Sequence, residues 1–169
     1  MMTDARNDSD LEDVIKRLPR GSGIIFRHYH LDASPRKARF LSVQAIAKTY
    51  GHLIFLAGAP QLARAWNADG VHSRDHNRSL KNGLLCSAPV HNMREINAAK
   101  RSGADIILLS PVAKTRSHLG KPSLNRLQLR HLIGFCDKPV VLLGGMDRDR
   151  FRHYADLDTH GWAAIDGLR

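Results

Sequence analysis

Short, fully apolar runs alternate with amphipathic stretches along most of the chain, at a spacing of roughly 20 residues. Read as strands, the apolar runs lie at 23–26, 52–56, 70–72, 84–88, 105–109, 139–143 and 162–165. Helical periodicity fills the intervals. Ser9 followed by Glu12 reads as a capping box, with Leu11, Val14, Ile15 and Leu18 on one face. Ser34-Pro35 reads as an N-cap and first-turn proline, opening a helix to about Tyr50 with Ala38, Leu41 and Ala45 inward. Pro60 opens a helix that turns Leu62, Ala65 and Trp66 inward, and Asn92 caps one that runs through Ser102 with Glu95 in its first turn. Ser123 precedes a stripe of Leu129, Leu132, Ile133 and Cys136, and Asp147 precedes Phe151 and Tyr154. Residues 73–82 are polar, basic and without period, which reads as a loop or a shrunken helix.

Strands this short and fully apolar, separated by helices, predict a parallel α/β sheet covered by its crossovers. Seven strands with an eighth possible before Ser9 predict a (β/α)₈ TIM barrel over residues 1–169, one domain. A doubly wound open sheet would carry GxGxxG in its first turn, and none is present.

Charge changes the picture next. Lysine and arginine number 26 against 16 acidic residues, a net +10 that favours polyanionic or phosphorylated partners. The cations are scattered and aromatics make up only 6%, poor material for a nucleic-acid surface that stacks bases. Cys86 and Cys136 lie in separate apolar segments without a CxxC pair, as expected for reduced thiols of a cytoplasmic protein. The sequence offers no apolar run of membrane-spanning length, and no membrane partner is expected.

The densest candidate chemistry follows the apolar run at 106–109. Lys114, Thr115, Arg116, Ser117, His118 and Lys121, with Gly120 among them, bring cations, hydroxyls and a glycine to one loop. Cations supply charge, hydroxyls supply short donors, and glycine lets backbone N–H groups approach phosphate oxygens. A solvated basic loop is the alternative for such a segment taken alone.

Six segments in register resemble the thiamine phosphate synthase and TenI-like family. They are Asn67-Ala68-Asp69-Gly70-Val71-His72; His91 with Glu95; Gly103-Ala104-Asp105 leading to Leu109-Ser110-Pro111-Val112; Thr115 with Ser117-His118 and Gly120; Pro139 with Leu143-Gly144-Gly145-Met146; and His160-Gly161-Trp162-Ala163-Ala164-Ile165. The match runs from about Leu53 to Leu168, and Arg27 matches a family arginine. The resemblance implies a TIM barrel shortened at its first strand, where Met1-Met2-Thr3-Asp4 remains, and lacking the last helix. A strand edge left open in this way would be covered by an upstream segment or by a second chain, a homo-oligomer.

The resemblance further implies a transferase of thiamine biosynthesis. Hydroxymethylpyrimidine diphosphate is joined to thiazole phosphate, with Mg²⁺ assistance and release of pyrophosphate. Arg27, Thr115, Ser117 and His118 would serve catalysis. Lys114, Arg116 and Lys121, with Gly144, Gly145, Asp166 and Gly167 after the last two strands, would hold phosphate. Departures are concentrated at the metal. The family's Asn-Asp after the third strand aligns with Ala57-Gly58, and the metal-binding aspartate of the next strand falls near Asn77, with Asp75 as the nearest carboxylate. The histidine of TenI-type tautomerases aligns with Pro111. Mg²⁺ requires hard oxygen ligands, so reduced synthase activity is expected. A tautomerase and a non-catalytic phosphate-ligand binder are the alternatives. His28, His72, His91 and His118 could share one mouth but show no metal-ligand spacing.

Overall fold

The structure, a computed structural model, describes residues 1–74, 83–113 and 123–168. Its strands are β1 (Gly23–Phe26), β2 (Leu53–Ala57), β3 (Gly70–His72), β4 (Leu85–Val90), β5 (Ile106–Leu109), β6 (Val140–Leu143) and β7 (Gly161–Ala163). They pair in chain order, each parallel to the next. A doubly wound sheet would reverse its strand order at a switch point, and this one does not.

The helices are α1 (Leu11–Arg17), α2 (Ala33–Thr49), α3 (Pro60–Ala65), α4 (Met93–Arg101), α5 (Arg126–Gly134) and α6 (Arg148–Arg152). Strand residues alternate between a layer facing these helices and a barrel lumen. The outer layer holds Ile24, Phe26, Ile54, Leu56, Ile107, Leu109 and Leu142, all essentially without solvent exposure. The lumen holds a smaller cluster of Met2, Ile25, Phe55, Ala57 and Leu108.

Met1–Thr3 closes the upper half of the seam between β7 and β1. Met2 N–H donates to Ala164 O at 2.9 Å, Ile25 N–H to Met1 O at 2.9 Å, and Thr3 N–H to Ile25 O at 2.9 Å. Asn7 Nδ2 then donates to both Met2 O and Ile165 O at 3.0 Å, fastening the segment across the seam. The edge expected to be open is therefore paired in its upper part. No helix follows β7 among the described residues, and the lower part of the seam opens into the lumen.

Several local expectations are corrected. α2 turns Phe40, Val43, Gln44 and Ala47 inward, whereas Leu41 is 45% exposed and Ala38 and Ala45 face solvent. The same spacing rule applies one residue round the helix, where the larger apolar side chains lie. In α3 the buried face is Ala63 and Trp66, with Ala65 exposed. α1 starts after Asp10 without a side-chain cap, so Ser9 does not cap it. The reciprocal capping box sits instead at Asp4 and Asn7, around the 3₁₀ turn Ala5–Asn7. For α5 the cap is Asn125 with Gln128, two residues beyond Ser123. Asn92 and Asp147 cap α4 and α6 as expected.

Candidate functional site at the C-terminal mouth of the barrel

In a parallel barrel all strands end on one side, and the residues just after them line a common mouth. Arg27, Ser110, Gly144 and Asp166 stand there, after β1, β5, β6 and β7. The expected residues Lys114, Thr115, Arg116, Ser117, His118 and Lys121, and the candidate metal ligand Asp75, lie outside the described residues. The backbone flanking 114–122 is fixed at the mouth. Val112 and Ala113 N–H donate to Leu143 O and Gly144 O at 3.0 Å, and Leu124 N–H donates to Pro111 O at 2.9 Å.

Two glycine turns meet beside that anchor. Gly144 and Gly145 both have positive φ, +99° and +63°, where a side chain is strained. At Gly144 a Cβ would come within 3.0 Å of Pro111 Cα. Gly167 lies so close to the β6 turn that a Cβ would meet Met146 O at 2.1 Å. The ends of β6 and β7 thus approach to a distance that only glycine permits. Arg150, from α6, reaches back to donate to Gly145 O.

Arg27, just after β1, brings a guanidinium to the same mouth. It pairs with Asp4, and Arg6 bridges Asp4 at 3.1 Å and Asp166 at 3.3 Å. Burial pushes the Asp4 carboxyl up, but hydrogen bonds from Arg6 and the charge of Arg27 outweigh it and hold Asp4 below the ordinary 3.8. Arg27 Nε is buried and has no hydrogen-bond partner among the described residues. A buried donor without an acceptor costs about 1–3 kcal/mol. Arg36 reinforces this part of the mouth, donating at 2.8 Å to Arg27 O and Ala57 O while its guanidinium lies over the Tyr29 and Trp66 rings.

Of the histidines expected at one mouth, the described ones form no metal-holding group. His28 has left the mouth, because its ring stacks on Phe26 in the outer layer. Thr3 Oγ1 accepts from Arg27 N at 3.1 Å, so its hydroxyl hydrogen is available to His28 Nδ1 at 2.8 Å. His28 Nε2 then donates to Asp8 Oδ1 at 2.8 Å, where Arg39 also donates. Desolvation lowers the His28 pKa from 6.5 despite the opposing pull of Asp8, which agrees with a neutral ring. His72 faces the lumen against Ser87 Oγ at 2.9 Å. His91 Nδ1 donates to Ser110 O at 2.7 Å, and its Nε2 receives Arg74 at 3.1 Å.

Among the described residues no three His, Cys, Asp or Glu side chains are grouped to hold a metal. Asp4 and Asp166 already face arginine, and Ala57 and Gly58 offer no carboxylate after β2. The described donor set does not fit Mg²⁺. What it does offer is anion chemistry: a guanidinium with a spare donor and a close-packed pair of glycine turns at one mouth.

Arg6, Arg36 and Arg150 are contributors that sequence reasoning missed, and Asp4, a possible metal carboxylate by sequence, instead pairs with arginines. Thr3-Asp4 was visible as the remnant of a strand, but its contact with Arg27 depends on closure of the seam.

The profile of the thiamine monophosphate synthase family matches residues 1–168. A thiamine-phosphate synthase of Geobacillus thermodenitrificans is 27% identical over 99% of this chain and 82% of its own length. One from Methanococcus maripaludis is 21% identical over 99% and 84%. In structure, the thiamine phosphate pyrophosphorylase of Pyrococcus furiosus superposes with a TM-score of 0.82 at 21% identity, covering 97% of this chain and 82% of that one. The YdjI aldolase of Escherichia coli shares the fold alone, with a TM-score of 0.69 at 12% identity over 97% of this chain and 74% of its own. With its strand order, its glycine turns and its full-length match, the chain belongs to the thiamine monophosphate synthase family.

Proposed function

We propose that this chain is a single-domain, cytoplasmic thiamine-phosphate-synthase-like transferase. It takes hydroxymethylpyrimidine diphosphate and thiazole phosphate, holds their phosphate groups at the mouth, and turns over slowly. The observation that carries this reading is the buried Nε of Arg27, without a partner among the described residues, at the same strand-end mouth as Gly144, Gly145 and Gly167. A phosphate oxygen would satisfy that donor, while glycine leaves the backbone open to close approach. Lys114, Thr115, Arg116, Ser117, His118 and Lys121 would complete the clamp on the departing pyrophosphate, beside the fixed Val112–Ala113 backbone.

Ionisation of the pyrimidine needs no general base. The protein's part is to stabilise the leaving group and to hold the cation near the thiazole nitrogen. Slow turnover follows from Ala57 and Gly58, which supply no charge where the resemblance places metal-positioning side chains. Loss of one preorganised electrostatic element costs on the order of 10²–10³ in rate. The same substitution supports a second reading, a binder of phosphorylated ligands without turnover.

Titration with thiazole phosphate, alongside a thiamine phosphate assay with both substrates, tests the proposal. Expected are saturable thiazole phosphate binding, weakened at least tenfold in Arg27→Ala, and turnover below about 10⁻² s⁻¹, two decades under ordinary rates. Turnover of about 1 s⁻¹ that EDTA abolishes would overturn the slow-enzyme reading. Binding with no product at all would select the binder.

A further inference from the structure

A cavity of about 850 Å³ opens at the other end of the molecule, through the lower part of the seam between β7 and β1. Its inner wall is lumen: Ile25, Leu53, Phe55, Ile106, Leu108 and Val141. Its entrance lies between α1 and α6, where Trp162 contributes to the wall. Arg17, Arg20 and Arg148 stand at that entrance, and among the described residues no Asp or Glu lines any part of the cavity. Arg20 and Arg148 make no ion pair among the described residues, and Arg17 gives its Nε to a helix carbonyl, Asp13 O. The volume lies within the range of about 300–1,000 Å³ typical of small-molecule sites.

We propose that this cavity binds a single-tailed anionic amphiphile, with its apolar chain in the lumen and its head on the arginines. Shape and charge choose this occupant. The apolar wall continues inward to Leu108 and Val141, and a helix about 10 Å across could not follow it there. A second copy of this chain, itself carrying +10, would set the same arginines against one another. Guanidinium groups receive carboxylate or phosphate heads with two parallel hydrogen bonds, so both heads share the required chemistry. The cavity touches the back of the β7 turn at Gly167 but includes neither Arg27 nor Gly144 nor Gly145, and it does not depend on the reading given for the mouth.

Calorimetric titration of the full chain, with tryptophan fluorescence as a second readout, tests the assignment. The probes are octanoate, decanoate, dodecanoate, dodecyl phosphate and dodecyltrimethylammonium, each kept below micelle-forming concentration. Expected is one site for the dodecyl anions, with the tighter of the two identifying the head. Affinity should rise about three- to fourfold per added CH₂, in line with burial of the tail. The dodecyl cation should bind at least tenfold more weakly. Arg20→Glu with Arg148→Glu should weaken the anions at least tenfold, and Leu53→Trp, at a position already 40% exposed, should block entry without loss of fold. Equal affinity for cation and anion, no chain-length dependence, or unchanged binding in the arginine variant would overturn the proposal. So would a dimer in light scattering whose formation excludes the probe, because a second copy would then be the occupant.

Discussion

The two apolar layers of this barrel are built to different standards. Between strands and helices, Leu109, Leu142, Ile107 and their neighbours are closed on every side. In the lumen, Leu108 is almost as inaccessible at 2% exposure, yet it borders a cavity of about 850 Å³. Low exposure therefore does not mean equal packing. Stability should come mostly from the outer layer, where a removed atom leaves an enclosed void. The lumen retains space that the fold does not need to fill.

Adjacent leucines on β5 give the sharpest test. Leu109→Ala should cost about 3–5 kcal/mol and Leu108→Ala only about 2 kcal/mol, measured by urea unfolding. Equal costs would break the distinction. The lumen does have one tight point. A Cβ on Gly70 would lie 2.4 Å from the Phe55 ring and 2.7 Å from Leu85 O. Gly70→Ala should therefore cost about 2–3 kcal/mol through overpacking, and Gly70→Ala with Phe55→Leu should recover part of it. Full recovery would mean that the Leu85 carbonyl yields freely.

Acid should loosen the seam next. The Met1 amino group, donating to Gly23 O at 2.6 Å, is pushed down from 8.0 to about 5 by desolvation, and His28 lies below 6.5 for the same leading reason. Both bases are favoured neutral in the fold. Their contribution is complete above the unfolded values and lost as pH falls through the folded ones. Asp4 and Asp8, held below 3.8 by their arginine and histidine partners against the opposing effect of burial, lose theirs at lower pH still. The melting temperature should fall by roughly 5 °C or more between pH 8 and pH 5. N-terminal acetylation should flatten the upper part of that curve and His28→Gln its middle. A flat profile down to pH 5 would remove the seam from the account. The smallest effect belongs to the exposed Arg126–Asp156 pair, where Arg126→Ala should leave the urea-unfolding midpoint essentially unchanged.

The strands were legible because each is a short apolar run between turn residues, and all seven lie within two residues of their expected ends. β7 is the shortest match, ending at Ala163 because Ala164 and Ile165 carry the contacts to Met2 and Asn7 instead. The inward face of α2 was not legible from alanine spacing, because its apolar positions lie on two adjacent faces and only packing selects Phe40 over Leu41. At the mouth, glycine announced itself through the turns it permits. Asp4, Arg6 and the Thr3–His28–Asp8 chain did not, since their partners are brought together only when the barrel closes. His28 was misplaced for a simpler reason: the alternation of β1 puts it on the face of Phe26, against the helices, and not on the lumen face of Ile25.

The contact between Asn7 and Ile165 joins residues 158 positions apart, and this sets an order of events. Closing so large a loop carries an entropic cost that local strand–helix pairs do not meet. The sheet should therefore assemble outward from neighbouring β-strands, with the Met1–Asn7 segment joining the β7 side last. During synthesis that segment emerges first and waits roughly 8–30 s for its partner, at about 5–20 residues per second. Throughout that interval the Met1–Thr3 segment, able to pair with Ile25 on one side, lacks its Ala164 and Ile165 partners on the other. The nascent chain is most exposed to wrong partners there, at the element that completes the barrel.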